Sequence, residues 1–347
     1  MNPITILKIL FIIPLTMLIS YNIVNKVIKY AERLKLIDIP NERSSHENPV
    51  PRGGGIGIVC ALVCGLTLSF YAGILIISVF QLYGYIVSII ILAFIGFLDD
   101  KHTLSETVKI VCQFFLALSI IFIVGRPEYM VIYGIKVSLG IVAVGIYILW
   151  IVGFINSYNF MDGINGLAGL QGVITGVFIA IMGHIIKEPS IIIMGIVLSS
   201  AIIGFLWFNF PNAKIFMGDV GSTVIGFYIA VIAVMQPILL FPITIVMGAF
   251  IYDTAITLFI RIIKREKWYK AHRTHFYQRA ISCGYTHKHV TLFMCAISIV
   301  LGILSIVYLL SGYKTQIVVT LLSFVILSLL SYWVIIKELE AKRTIGE

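Results

Sequence analysis

Charge is scarce in this sequence: only 12% of its 347 residues are Asp, Glu, Lys or Arg, against 60% hydrophobic. No charged side chain occurs in residues 53–98, 137–161, 189–213 or 220–252. A soluble globular domain ordinarily carries about a quarter charged residues, so that class is excluded. Cysteine is also sparse, at 5 residues, and unpatterned. Cys60 and Cys64 share a helix face, Cys112 and Cys295 fall in apolar runs, and Cys283 lies in a polar loop. Such placement suits small apolar residues in a reducing compartment better than disulfides. No His/Cys spacing suggests zinc. Internal repeats, linkers and low-complexity tracts are missing too, so residues 1–347 read as one domain. No soluble domain remains to carry nucleic acid, which is not expected as a partner; the lipid bilayer is.

What the chain does have is long apolar runs, and about 20 such residues span a bilayer as helix. The expected fold is all-α, a polytopic integral membrane protein of about eleven transmembrane helices. They fall roughly at 4–24, 54–73, 78–98, 107–125, 131–154, 164–186, 190–208, 220–236, 239–262, 289–310 and 315–336. Pro237 and Pro242 mark the turn between the eighth and ninth. The first run, Ile4–Val24, lacks a basic leader and a small-residue cleavage site, so it reads as a retained span. Of 25 Lys and Arg, 20 lie in the loops after odd-numbered spans or in the C-terminal tail; Lys8, Arg126, Lys136, Lys187 and Lys314 fall on or nearest the other side. By the positive-inside bias the N-terminus is outside and the C-terminus cytoplasmic. The net charge of +9 then gathers on the inner face, where it would attract anionic head groups or an anionic substrate.

Every cluster of carboxylates, amides, histidines and arginines falls on that face, in loops 25–53, 99–106, 155–163, 209–219 and 263–288. The first holds Asn41-Glu42-Arg43-Ser44-Ser45-His46 and then Pro49-Val50-Pro51-Arg52-Gly53-Gly54-Gly55. Glycines entering a helix let backbone amides approach a phosphate, or simply form a hinge. Asp99-Asp100 ends the third span; two adjacent carboxylates at a membrane boundary need a cation nearby unless the helix end is solvated. Lys109 and Gln113 share one face of the fourth span, where the lysine either meets a phosphate or snorkels.

The densest polar stretch is Asn156-Ser157-Tyr158-Asn159 followed by Asp162-Gly163-Ile164-Asn165. Asn156, Asn159 and Asp162 recur every three residues, so a continuing helix would point three oxygens at one place. Gly163, Gly166 and Gly169 leave room for something bulky. Asp219, in Phe216-Met217-Gly218-Asp219-Val220-Gly221-Ser222, either caps the eighth span or offers an oxygen to a divalent metal. Asp253 lies well inside a span and is expected to pair with a basic group such as Arg261. The largest loop, Lys264–Lys288, mixes basic and aromatic residues that anchor at head groups, but its His272-Arg273-Thr274-His275 core also offers donors suited to a diphosphate.

Together, Asn156–Leu167, Phe216–Ser222, the Asp99-Asp100 pair and Pro51-Arg52-Gly53-Gly54-Gly55 resemble the polyprenyl-phosphate N-acetylhexosamine-1-phosphate transferases (glycosyltransferase family 4). The resemblance runs from about residue 40 to 290, in order. It implies a bacterial inner-membrane enzyme, with its site on the cytoplasmic face, that moves a sugar 1-phosphate from a UDP-N-acetyl sugar to undecaprenyl phosphate and releases UMP. Magnesium is the implied cofactor, with manganese as the alternative, and a homodimer stays open. By position, Asp219 and Asn159 resemble the metal ligands, and Phe216 the ring against uracil. Asp162 and Gly163 fall where the family contacts nucleoside, with Arg52, Gly54, Asn156, Arg273 and Arg279 as further substrate contacts. Asp99, Asp100, Lys109, Asp219, His272 and His275 take the catalytic positions.

The family pair is often called a base. A phosphate monoester with a second pKa near ~6 is already mostly dianionic at neutral pH, so Asp99 and Asp100 are expected to hold Lys109, metal or water instead. Phe276-Tyr277-Gln278-Arg279 stands where several relatives carry further histidines; this looks like the O-antigen initiating branch, which takes N-acetylated deoxyhexoses. Two rivals remain: a transporter or flippase for an anionic lipid-linked solute, and a non-catalytic scaffold that would tolerate loss of Asp219. Within the family, a UDP-N-acetylglucosamine or muramoyl-pentapeptide donor is the alternative.

Overall fold

A computed structural model describes residues 3–38, 49–266 and 273–345. It is helical almost throughout, as expected of a multi-pass membrane protein. The helices are α1 (Pro3–Leu34), α2 (Gly55–Tyr71), α3 (Val79–His102), α4 (Glu106–Val124), α5 (Ile141–Phe160), α6 (Leu167–Ile185), α7 (Pro189–Asn209), α8 (Asp219–Met235), α9 (Leu240–Val246), α10 (Gly248–Ile263), α11 (Phe276–Ser282), α12 (His287–Leu310) and α13 (Tyr313–Ile345). Among the described residues, eight helices are long and apolar enough to cross a membrane: α1, α3 to α7, α12 and α13.

The remaining three expected spans are shorter or broken. The α2 helix has 17 residues. After α8 the chain turns by 120° into the segment Pro237–Val246, as the two prolines forecast. The expected span 239–262 is interrupted at Met247, giving α9 and α10. Backbone groups loosened at such a break need partners inside the protein. Gln171 supplies one, donating to the Val246 carbonyl at 3.1 Å, while Ser298 donates to the Gln171 carbonyl oxygen.

The fifth helix also differs from expectation, starting at Ile141 rather than at 131. Before it an antiparallel hairpin pairs β3 (Tyr129–Ile132) with β4 (Ile135–Ser138), in register Ile132↔Ile135. Tyr133 and Gly134 turn it with φ of 48° and 74°, the left-handed pair that suits a two-residue hairpin. Apolar content alone does not separate a β-branched hairpin from a span. A smaller pair, β1 (Ile37–Asp38) with β2 (Val50–Pro51), leads into α2.

The core sits around α8, which is apolar on every side and buried without interruption from Val220 to Val234. Packed on it are α2, α3, α4 and α5. A second layer is α6 against α7, where Gly176 and Gly195 face each other so closely that a methyl on either would strike the other helix's backbone. These two layers carry the connections 209–219, 99–106 and 155–166 to a common end.

Candidate active site

Arg52, at the end of the strand pair, places its Nε 3.1 Å from Asp100 Oδ1. The Asp100 side chain is only 1% exposed and accepts two more bonds, from the amides of Asp219 (2.9 Å) and Val220 (3.2 Å). Those are among the orphan donors that begin α8, so Asp100 of α3 caps a helix more than a hundred residues away. Asp219 itself does not cap: Gly218 is the N-cap residue and makes no side-chain bond. The capping alternative for Asp219 is therefore replaced by Asp100, and the Asp219 carboxylate faces elsewhere.

It faces Asp99 and Lys109. The Asp99 and Asp219 carboxylates lie within hydrogen-bonding reach of one another. Lys109 Nζ sits 3.2 Å from Asp99, 3.1 Å from Glu106 and 4.0 Å from Asp219. Asp99 also accepts the Leu104 amide at 2.6 Å, which fixes the α3–α4 turn. The lysine is thus held on carboxylates and does not simply snorkel.

Asp162 stands near enough to this group to feel its charges. Burial first, then the charge of Asp219, pushes its carboxyl well above the ordinary range, with Arg52 opposing. Burial works against the Arg52 charge, but the carboxylates of Asp100, Asp219, Asp38 and Asp162 outweigh it and hold the guanidinium firmly protonated. Among the described residues, Asp99, Asp100, Asp219 and Glu106 face two cations, Arg52 and Lys109, so acids outnumber cations even with the Asp162 carboxyl held toward its neutral form. That balance suits one divalent cation. Among the described residues no three His, Cys, Asp or Glu side chains form a ready metal cage. A carboxylate from Asp219 and an amide oxygen from Asn159, whose Nδ2 donates to Ser222 at 2.9 Å, match the sparse protein ligation that magnesium accepts when phosphates and waters fill the rest.

Several expected contacts are corrected. Asn156, Asn159 and Asp162 do not share a helix face, because α5 ends at Phe160 and Asp162 lies beyond it. Asn156 turns instead to Gln113 of α4, donating at 2.6 Å. The glycine run cradles no phosphate through its first amides: Gly54 N and Gly55 N donate to the carbonyls of Phe216 and Met217, both at 2.9 Å, and Phe216 N donates to Pro51 at 2.8 Å. Nor is it a hinge, since this ladder locks the start of α2 to the segment before α8. Phe216 is positioned by the same ladder. A methyl on Gly55 would collide with the backbone of Gly221, which cannot turn aside. Gly55→Ala is expected to lower stability by about 3 kcal/mol, read as a lower melting temperature in detergent.

The room at Gly163, Gly166 and Gly169 is filled by the protein's own Tyr277, Phe210 and Leu206. Asp253 pairs with His275 (2.9 Å), whereas Arg261 bonds Glu266 (3.2 Å). Arg279 is engaged by Glu338 of α13, its Nε donating at 3.1 Å, and Arg273 is exposed. His272 and residues 39–48 lie outside the described residues. Sequence reading passed over Ser222, although it stood in the quoted Phe216–Ser222 motif, and Tyr277, whose only signal was its place after His275.

Residues 82–236 match the family model described as glycosyl transferase family 4. The chain is 30% identical over 301 residues to a probable undecaprenyl-phosphate N-acetylglucosaminyl 1-phosphate transferase of Bacillus subtilis, covering 84% of this chain and 82% of that protein. It is 27% identical over 312 residues to a decaprenyl-phosphate N-acetylglucosaminephosphotransferase of Mycobacterium leprae, covering 79% and 77%. A phospho-N-acetylmuramoyl-pentapeptide-transferase of Streptococcus thermophilus is 34% identical over 197 residues, 52% of this chain and 57% of that protein.

Proposed function

Since the chain belongs to glycosyl transferase family 4 and is a sugar-phosphate transferase of the bacterial cell envelope, we propose that it carries an N-acetylhexosamine 1-phosphate from its UDP conjugate to undecaprenyl phosphate, releasing UMP. The observation that supports this reading is the meeting of Asp99, Asp100, Asp219, Lys109 and Arg52 at one end of the helix bundle, where acids outnumber cations and the charge of Asp219 reaches Asp162. Phosphoryl transfer asks for charge neutralisation and alignment more than for covalent help. Asp219 and Asn159 would hold a magnesium ion, and that ion, when bound, would supply charge neutralisation and help align the phosphates. Lys109, held by Asp99 and Glu106, would present its ammonium to the incoming lipid phosphate or the leaving UMP. Arg52, anchored on Asp100, would stand on the opposite flank. Phe216 would take the uracil ring and Asp162 the nucleoside. Asp99 and Asp100 position these groups and take no proton.

The site faces the cytoplasm in this reading, with the N-terminus outside and the C-terminus inside, and loops 25–53, 99–106, 155–163, 209–219 and 263–288 compose it. The product would initiate a lipid-linked O-antigen or related polysaccharide. Tyr277 and Gln278 in place of histidines favour an N-acetylated deoxyhexose donor; the names of the Bacillus and Mycobacterium relatives favour N-acetylglucosamine. A panel of UDP-sugars given to purified protein with undecaprenyl phosphate, with UMP release and lipid product mass as readouts, decides between them. Chelation by EDTA is expected to stop UMP release and added magnesium to restore it. Turnover that persists after complete chelation would rule out the metal assignment.

A further inference from the structure

Asp253 is an acid inside α10 that the transfer chemistry above leaves without a task. It is 2% exposed, and its carboxylate accepts four bonds. Thr257 donates from one turn along the same helix at 3.1 Å. The other three come from the start of α11: His275 Nδ1 at 2.9 Å, the Phe276 amide at 3.0 Å and the Tyr277 amide at 3.3 Å. A carboxylate so deeply placed is costly unless fully bonded, and bonds to a charged acceptor are the strong kind. Three of the four tie one helix to the next.

The tie continues toward the site. The His275 ring packs against Phe160 (centroids 6.0 Å apart) and against Tyr277 (5.9 Å, planes 18° apart). The Tyr277 hydroxyl donates to the Phe160 carbonyl at 3.0 Å, at the end of α5. It also occupies the space where a side chain at Gly163 would be. Burial first, then the charges of Asp253 and Asp162, keep that hydroxyl protonated and able to donate. Gly163 is the neighbour of Asp162. An unbroken line of bonds and contacts thus leads from a buried acid in α10 to the turn that carries a proposed substrate contact.

We propose that Asp253 is a positioning residue for the transfer reaction: through His275 and the Phe276 and Tyr277 amides it seats Tyr277 against the Phe160–Gly163 turn, and so sets the place of Asp162 for the UDP-sugar. This rests on the functional reading above. A misplacement of this kind acts on donor binding rather than on the amount of active protein. Asp253→Asn and Tyr277→Phe are each expected to raise KM for the UDP-sugar about 10-fold. KM for undecaprenyl phosphate should stay unchanged, and kcat should hold within a few-fold. The double variant should be no worse than the more damaging single one, because both break the same line. His275→Asn, which keeps a donor for Asp253, should retain more donor affinity than His275→Ala.

A fall in kcat with KM unchanged, or multiplying effects in the double variant, would overturn the proposal. Should Asp253→Asn fail to fold, Tyr277→Phe and the His275 pair carry the same test. Wild-type protein that turns over no UDP-sugar would instead sink the functional reading. Hydrogen exchange still decides the tether in that case: faster exchange confined to the amides of 276 and 277 in Asp253→Asn supports it, and unchanged exchange overturns it.

Discussion

Asp219→Ala is expected to lower the rate of UMP release by on the order of 10³-fold or more, while the protein melts no earlier than wild type. Both halves follow from where the carboxylate lies. Asp100 already caps α8, so removing the Asp219 side chain leaves no orphan amide. Its contacts are with Lys109 at 4.0 Å and the like charge of Asp99, within a cluster that carries more negative than positive charge. Taking one carboxylate away relieves repulsion. The activity has no such substitute, because the proposed metal site would keep only the Asn159 amide oxygen. Purified variant and wild type, compared for melting in detergent and for turnover with magnesium, give the answer. A variant that keeps a tenth of the activity would overturn the assignment of Asp219 as a metal ligand.

The adjacent acids 99 and 100 are expected to fail differently. Asp100→Ala removes the cap of α8 and the partner of Arg52 together. Breaking a buried ion pair costs about 3 to 5 kcal/mol, and the lower end applies because the Arg52 side chain is 36% exposed and regains some water. Asp99→Ala loses the Leu104 amide bond and one contact to Lys109, nearer 1 kcal/mol, yet should abolish most turnover by freeing that lysine. Thermal melts therefore separate the pair although activity assays do not. The isosteric variants Asp99→Asn and Asp100→Asn should lose activity by the same factor at pH 6 and pH 8.5. A selective recovery at pH 8.5 would show that one of them takes the proton of the lipid phosphate, and the positioning account would be wrong.

The membrane fold was legible because runs such as 53–98 hold no charge at all, and bilayer solvation leaves little else for them to be. That Asp219 and Lys109 belong to one polar cluster was legible because short polar motifs interrupt the apolar runs at both positions. What could not be read was direction. Asp100 meets residues 119 and 120 positions away, and nothing in Asp99-Asp100 says that one acid turns to a helix terminus and the other to a lysine. Spacing by three suggested a shared face for Asn156, Asn159 and Asp162, but the end of α5 at Phe160 cancels it. The glycines before α2 signalled close approach correctly, yet what approaches is the backbone at 216–221 rather than a ligand. Likewise Tyr277, an unremarkable aromatic in a basic loop, fills the gap at Gly163.

The last helix runs for 33 residues, about 50 Å at 1.5 Å per residue, against roughly 30 Å of hydrocarbon. Its charge-free stretch, residues 315–336, is about 33 Å and fills that thickness, so the turns from Lys337 to Ile345, about 13 Å, extend past it as a rigid mast. Glu338 sits on that mast and grips Arg279, so the helix bearing Tyr277 is moored to a post rooted in the bilayer. A reporter fused beyond Ile345 would ride at the top of this post, and a chain cut short between Val334 and Glu338 would keep its crossings yet cast α11 loose on that side.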